Sequence, residues 1–246
     1  MSSIRFKFIS ITICIVSVVF SVSCKKKKND DAEPKTNVIT FPAQPYSLIS
    51  TSFDYSNNNN VITKDSSATA TFFDSPIGAS SSINFISAGN VSLNDSNLYY
   101  LGSFYTNTTS INISGKLKWT VAGSGTITPF TYTFMPSYPI YTGGNVLPDT
   151  CYKSSGITIT ISGLSNFTGG VTVFLNQSSS SVNLNKYISN GNGSVTFSAS
   201  EIASCTANSA IYFQVMFSNT RQATLGGVLH QFENNLSYQK VSYLKP

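Results

Sequence analysis

The sequence predicts an all-β protein, with two consecutive antiparallel β-sandwiches following a leader segment and a flexible tether. Three observations predict it. From Asn37 onward apolar residues recur with period two and almost never with period 3.6. Runs of Gly, Asn and Pro punctuate that pattern at short intervals, as turns between strands do. Aromatic residues make up 13% of the chain against 10% charged, so large side chains are available for a core. That supply separates this Ser-, Thr- and Asn-rich chain from low-complexity disorder. The expected division is 1–23 leader, 24–36 tether, 37–135 first sandwich and 136–246 second sandwich, with a single sandwich or jelly roll carrying long insertions as the alternative.

The leader opens with Arg5 and Lys7, continues through an apolar run from Ile9 to Phe20, and ends in Ser21-Val22-Ser23-Cys24. A charged start, a short apolar stretch and small residues before a cut are the plan of a secretory signal. The apolar run is twelve residues, short of the ~20 a membrane span needs. With cysteine at the cut, the segment resembles a bacterial lipoprotein signal, in which Cys24 is acylated and becomes the new N-terminus. A thiolate is nucleophilic enough to take a diacylglyceryl group as a thioether, and two or three acyl chains hold a protein on a bilayer far better than one. Lys25 to Lys28 and then Asn29-Asp30-Asp31-Ala32-Glu33 follow. The lysine-then-acidic order resembles the surface-export signal of Bacteroidota lipoproteins, although four lysines and an asparagine depart from its compact form. The resemblance implies a lipid anchor in the outer membrane, with exposure at the cell surface.

The net charge of +5 sits mostly in this leader and tether. From Lys35 onward nine basic residues face seven acidic ones, so the folded part is close to neutral and carries no basic patch for nucleic acid.

In chain order, strands are expected at Tyr46 to Phe53, Ser67 to Phe73, Ser82 to Ile86, Val91 to Leu93, Leu98 to Leu101 and Ile111 to Ile113. In Lys116 to Val121, Leu117, Trp119 and Val121 share one face and Lys118 and Thr120 the other, which marks a strand with one buried side. Phe130 to Phe134 follows the Gly123-Ser124-Gly125 turn. Met135 to Asp149 holds three prolines and a glycine pair, turn and linker chemistry that places the boundary. Beyond it come Ile157 to Ile161, Val171 to Leu175, Val182 to Tyr187, a hairpin turn at Gly191-Asn192-Gly193, and Ser194 to Ala199. Ser200 to Cys205 reads as one helical turn capped by Ser198 or Ser200. Ile211, Phe213, Val215 and Phe217 line a core strand, and Val228 to Phe232 and Ser237 to Leu244 close the chain.

The second half resembles an immunoglobulin or fibronectin type III module, in strand count and in the helical turn before the penultimate core strand. It lacks the intersheet cysteine pair of antibody domains. The resemblance implies that the connections carrying Cys151 and Cys205 emerge at the same end of the sandwich. An even pair of cysteines in an oxidising compartment favours a disulfide, so a Cys151–Cys205 bridge is expected.

Chemistry is sparse. The folded part offers Asp54, Asp65, Asp74, Asp95, Asp149, Glu201, Glu233 and a single histidine, His230. Most of the acids sit beside turn residues, where they bond backbone amides, and Glu201 falls in the first helical turn, where its charge suits the dipole. No Gly-x-Ser-x-Gly, His-Glu-x-x-His, phosphate loop or calcium loop is present. No cofactor, metal or nucleic-acid partner is expected. The leading expectation is a lipid-anchored, non-catalytic surface module for adhesion, assembly or scaffolding. The alternative is glycan capture in nutrient uptake, with Tyr138, Tyr141 and Tyr152 as candidate contacts. A third is a glycoside hydrolase on a β-scaffold, which needs two facing carboxylates.

Overall fold

The computed structural model describes residues 44–58, 61–78, 83–144, 147–189 and 191–246. The leader, the tether and Cys24 lie outside the described residues. The described chain is all-β, with a single 3₁₀ turn at Ser178–Ser180 and no α-helix.

The N-terminal half contains β1 (Ser47–Asn58), β2 (Val61–Phe73), β3 (Phe85–Ile86), β4 (Val91–Leu93), β5 (Ser96–Asn97), β6 (Tyr99–Tyr100), β7 (Tyr105–Thr106), β8 (Leu117–Val121) and β9 (Phe130–Phe134). β10 (Ile140–Tyr141), β11 (Thr150–Tyr152), β12 (Ile157–Ile161), β13 (Leu164–Ser165), β14 (Val171–Gln177), β15 (Val182–Ile188), β16 (Gly193–Phe197), β17 (Ser209–Leu225) and β18 (Val228–Lys245) follow. Local chemistry explains several turns. Asn94 and Asp95 take φ of 49° and 64° in the two-residue loop joining β4 to β5, a conformation these residues tolerate better than most. Gly226-Gly227, with φ of 58° and 86°, closes the β17–β18 hairpin in the same way.

One ten-stranded sheet organises the molecule. Its order is β15-β14-β17-β18-β1-β2-β7-β6, with β11 also on β18 and β3 on β2. β18 is its spine. It pairs along its length with β17, and on its other edge with β1 and then β11, both parallel to it. Register sorts the side chains. Ile49, Thr51, Phe53 and Tyr55 of β1 share a face with Phe232, Asn234, Leu236 and Tyr238 of β18, while Ser50, Ser52 and Asp54 share the other with Glu233, Asn235 and Ser237.

Two cores lie on the sheet. In the first, Ile49, Ala68, Ala70 and Phe72 meet Leu93, Leu117, Trp119, Val121 and Phe130 of the four-stranded sheet β5-β4-β8-β9. In the second, Val173, Leu175, Phe213, Val215 and Phe217 meet Ile157, Ile159, Ile161, Val195 and Phe197 of the β12-β16 pair. The four-stranded sheet ends at Phe134 and the β12–β16 pair starts at Ile157, while the large sheet draws strands from both sides of the expected boundary near residue 135. The C-terminal hairpin crosses it: Phe232 is buried in the first core against Tyr132 (4.6 Å) and Phe134 (5.7 Å). The hairpin tip is seated as well. Thr128 Oγ1 donates to Gly226 O at 2.9 Å, and a Cβ on Gly226 would come within 2.6 Å of Thr128 Cβ.

At the seam between cores, polar side chains replace apolar ones. Asn219 is buried, its Nδ2 donating to Ser137 O and Asn166 O at 2.8 Å each, and its Oδ1 accepting from Thr168 N at 2.6 Å. Arg221 lies over the Phe134 ring at 4.7 Å.

The cysteine pair departs from expectation. Cys151 and Cys205 are both buried free thiols, not a bridge. They do lie at the same end of the second core. Cys151 pairs in register with Leu244, and Leu244 O accepts from Asn208 N, three residues after Cys205. Burial in this apolar layer pushes the Cys151 thiol up to about 11 and raises that of Cys205 as well, so the thiolate needed for exchange is scarce.

Candidate functional site

The tyrosines picked out as ligand contacts do not form one surface. Tyr138 is part of the seam: its ring packs on Phe53 at 4.7 Å, and its hydroxyl lies 2.9 Å from Thr51 Oγ1 and 3.1 Å from Ile113 O. Desolvation pushes that hydroxyl up to about 12. Tyr141 stacks on Phe217 at 4.9 Å and meets Tyr238 edge-on at 5.3 Å. Both are packing residues. Tyr152 is exposed beside Lys245 on the short strand β11, away from that stack.

The titratable groups are each held by structural partners. His230 is fully buried, with Nδ1 2.8 Å from Ser47 Oγ and Nε2 3.2 Å from Leu225 O. A carbonyl can only accept, so Nε2 carries the proton and Ser47 donates to Nδ1. Desolvation lowers its pKa, favouring the neutral ring. Glu233 stands an odd number of residues away on the same strand and therefore faces the other side of the sheet; the two cannot act as a dyad. Burial raises the Glu233 pKa, and Gln231 Nε2 donates to its carboxyl at 2.7 Å. Asp54 is likewise raised by burial, with Ser52 and Ser67 hydroxyls donating at 2.8 Å each and Asp65 directly opposite on β2.

The remaining acids tie down turns. Asp74 accepts from Asn84 N and Nδ2. Asp95 pairs with Lys118 at 2.9 Å and Asp149 with the buried Lys240 at 2.6 Å. Glu201 accepts from Ser198 N at 2.8 Å while Ser198 Oγ accepts from Glu201 N at 3.3 Å. This reciprocal arrangement has the hydrogen-bond pattern of a capping box, but Ser200 to Cys205 forms hydrogen-bonded turns in place of the expected helical turn. Lys186 Nζ at 2.8 Å and the Ser198 donors draw the Glu201 pKa down to about 2. Among the described residues, no group of three or more His, Cys, Asp or Glu could hold a metal ion.

One surface concavity is lined by uncharged residues. A shallow cleft of about 270 Å³ runs between Ser96, Asn97 and Tyr99 on one side and the 107–112 loop on the other. Tyr99 is 60% exposed at the free edge of the large sheet, on β6. The sequence places it only within the expected strand Leu98 to Leu101. The available signal was Leu98-Tyr99-Tyr100-Leu101, four large residues in a row that alternation cannot place on a single buried face.

No protein family matches the chain, and no curated protein matches it. Among solved structures, a 1.5-MDa bacterial ice-binding adhesin, studied for its retention at the host cell surface, aligns with 14% identity and a TM-score of 0.23. The alignment covers 82% of this chain and 65% of that one. A likeness at this level carries no argument about fold or function. No helix of the described residues is long and apolar enough to cross a membrane.

Proposed function

We propose that the chain is a non-catalytic binding module, anchored by lipid at Cys24 and displayed at the bacterial surface for adhesion or assembly. The observation that carries this reading is the engagement of the candidate catalytic groups. His230 is sealed between Ser47 and Leu225, Glu201 closes a turn, and Glu233 faces away from His230. The finer architecture fits the same reading. Each half sets part of the large sheet against a smaller sheet, which supports two immunoglobulin-like sandwiches fused through the β17–β18 hairpin. A scaffold of this kind presents loops and sheet edges on a stiff support.

Metabolic labelling with a fatty-acid analogue, combined with protease treatment of intact cells, tests the anchor and the display together. Wild type should incorporate label and be digested from outside. Cys24→Ala should lose both label and surface association. Label in Cys24→Ala, or full protection of the wild type from protease, would refute the proposal. The cleft beside Tyr99 favours a specific ligand class for the module.

A further inference from the structure

We propose that the cleft between β5–β6 and the 107–112 loop is a binding site for a neutral carbohydrate, with Tyr99 as its stacking platform. The inference rests on the reading of the chain as a binding module and names what it binds. Its first support is the lining. Ser96, Asn97, Tyr99, Thr108, Thr109 and Asn112 offer amides, hydroxyls and one aromatic ring, and no lining residue is ionisable below the tyrosine range. An anionic or cationic ligand would find no counter-charge in such a cleft. An apolar ligand would find a wall made mostly of hydrogen-bonding groups, whose desolvation it could not compensate. A polyhydroxyl ligand suits both features. Its hydroxyls donate and accept, as amides and hydroxyls do, and the CH face of a sugar ring is an apolar surface for Tyr99.

The second support is preorganisation. Asn107 fixes the loop by accepting from Ala68 N at 2.7 Å and donating to Ser66 O and Thr109 O at 3.2 and 2.6 Å. Asn112 Oδ1 accepts from Ser114 N and Oγ, and its carbonyl accepts from Asn94 Nδ2. Next to the platform, Tyr100 is clamped with its ring 4.8 Å from Tyr105 and its hydroxyl donating to Gly102 O at 2.6 Å. The loop wall is therefore set before a ligand arrives, so little of its ordering entropy is lost on binding. Tyr99, alternating with Tyr100, is left projecting at the sheet edge. Exposed tyrosines occur on other edges, and Tyr187 on β15 is 63% exposed. Tyr99 differs in standing against a cleft of hydrogen-bonding groups. The shallowness of the site suits one ring or chain end of a longer glycan rather than an enclosed small molecule, for which pockets of about 300–1,000 Å³ are usual.

The test uses the full-length lipidated protein in detergent, applied to an array of neutral oligosaccharides (gluco-, manno- and xylo-configured) beside uronate-bearing and sulfated ones. Binding is expected to neutral glycans. Tyr99→Ala and Asn97→Ala should each weaken it at least tenfold, Tyr99→Phe should retain it, and Tyr187→Ala should leave it unchanged. Unaltered Trp119 fluorescence would show that the variants are folded. No binding, binding restricted to acidic glycans, or neutral-glycan binding that Tyr99→Ala leaves intact would overturn the proposal. Its failure is separable from failure of the module reading, because protease access and lipid labelling of the same protein report display independently of any glycan.

Discussion

Removing Phe217 should destabilise Trp119, although the two belong to different cores. Phe217 is fully buried in the second core, stacked on Tyr141 at 4.9 Å and set edge-on to Tyr238 at 6.1 Å. Truncating such a residue to alanine costs about 3–5 kcal/mol through lost burial and the cavity left behind. Trp119, the chain's single tryptophan, is buried in the first core on β8, between Leu93 and Tyr132. If the halves unfold independently, Phe217→Ala leaves the fluorescence transition of Trp119 where it was. The shared hairpin argues otherwise. β17 and β18 run through both cores, Phe232 packs in the first, and Gly226 is held by Thr128. The Trp119 transition in urea should therefore shift with the far-ultraviolet circular dichroism transition. With an m-value of about 2.5 kcal/mol/M, a loss of ~4 kcal/mol moves the midpoint by roughly 1.5 M. The reciprocal change, Phe232→Ala, should move both signals by a similar amount. A Trp119 midpoint unchanged in Phe217→Ala, with an earlier separate transition in circular dichroism, would refute the coupling.

Two further outcomes follow from titratable groups. The folded-state pKa of Glu201 is depressed from its ordinary 4.5 to about 2, so its contribution is present above pH 4.5 and is lost as pH falls through about 2. Glu201→Gln should flatten the acid limb of the stability curve in that window, and Ser198→Ala should cost about 1 kcal/mol at neutral pH by removing the hydroxyl's bonds to Glu201; denaturant titrations at stepped pH check both. The Cys151 thiol is raised from 9.0 to about 11, so its contribution is intact below pH 9 and declines as pH rises through 11. A thiol reagent should find no reactive sulfhydryl at Cys151 or Cys205 in the native protein at pH 7 and two after unfolding; a bridged Cys151–Cys205 peptide in non-reduced mass spectra would contradict the free thiols.

Much of the fold was legible where one face of a strand is apolar. Leu117-Trp119-Val121, Ile157-Ile159-Ile161 and Ile211 to Phe217 declare themselves by alternation, and each is a strand with those residues buried. The continuous hairpin was not legible. From Ser218 to Leu225 the core-facing positions include Asn219 and Arg221, whose partners are carbonyls and a ring supplied by distant loops. Polar residues satisfied in this way erase the period that marks a strand. Gly226-Gly227 was a hairpin signal in plain view, but the segments flanking it read as separate short strands. The parallel docking of β1 on β18 leaves no trace in local pattern, since register between remote strands depends on the whole assembly. The exposed edge tyrosine was obscured for another reason. Exposed Tyr99 and packed Tyr138 are the same residue type in similar company, and only the position of β6 at a sheet edge tells them apart.

The parallel pairing of β1 with β18 also bears on how the chain reaches its destination. Thr51 and Asn234, which join side chains across this pair, are 183 residues apart. Contacts so remote in sequence give the protein a high contact order and slow folding, because a large loop must close before they stabilise anything. A ribosome releases the N-terminal strand long before its partner exists. Until β18 emerges, β1 has β2 along one edge and nothing along the other, and the first core lacks Phe232. The large sheet therefore cannot be completed until the C-terminal hairpin has been made. The same dependence makes the C-terminus a checkpoint: a chain truncated before β18 loses the spine of both halves.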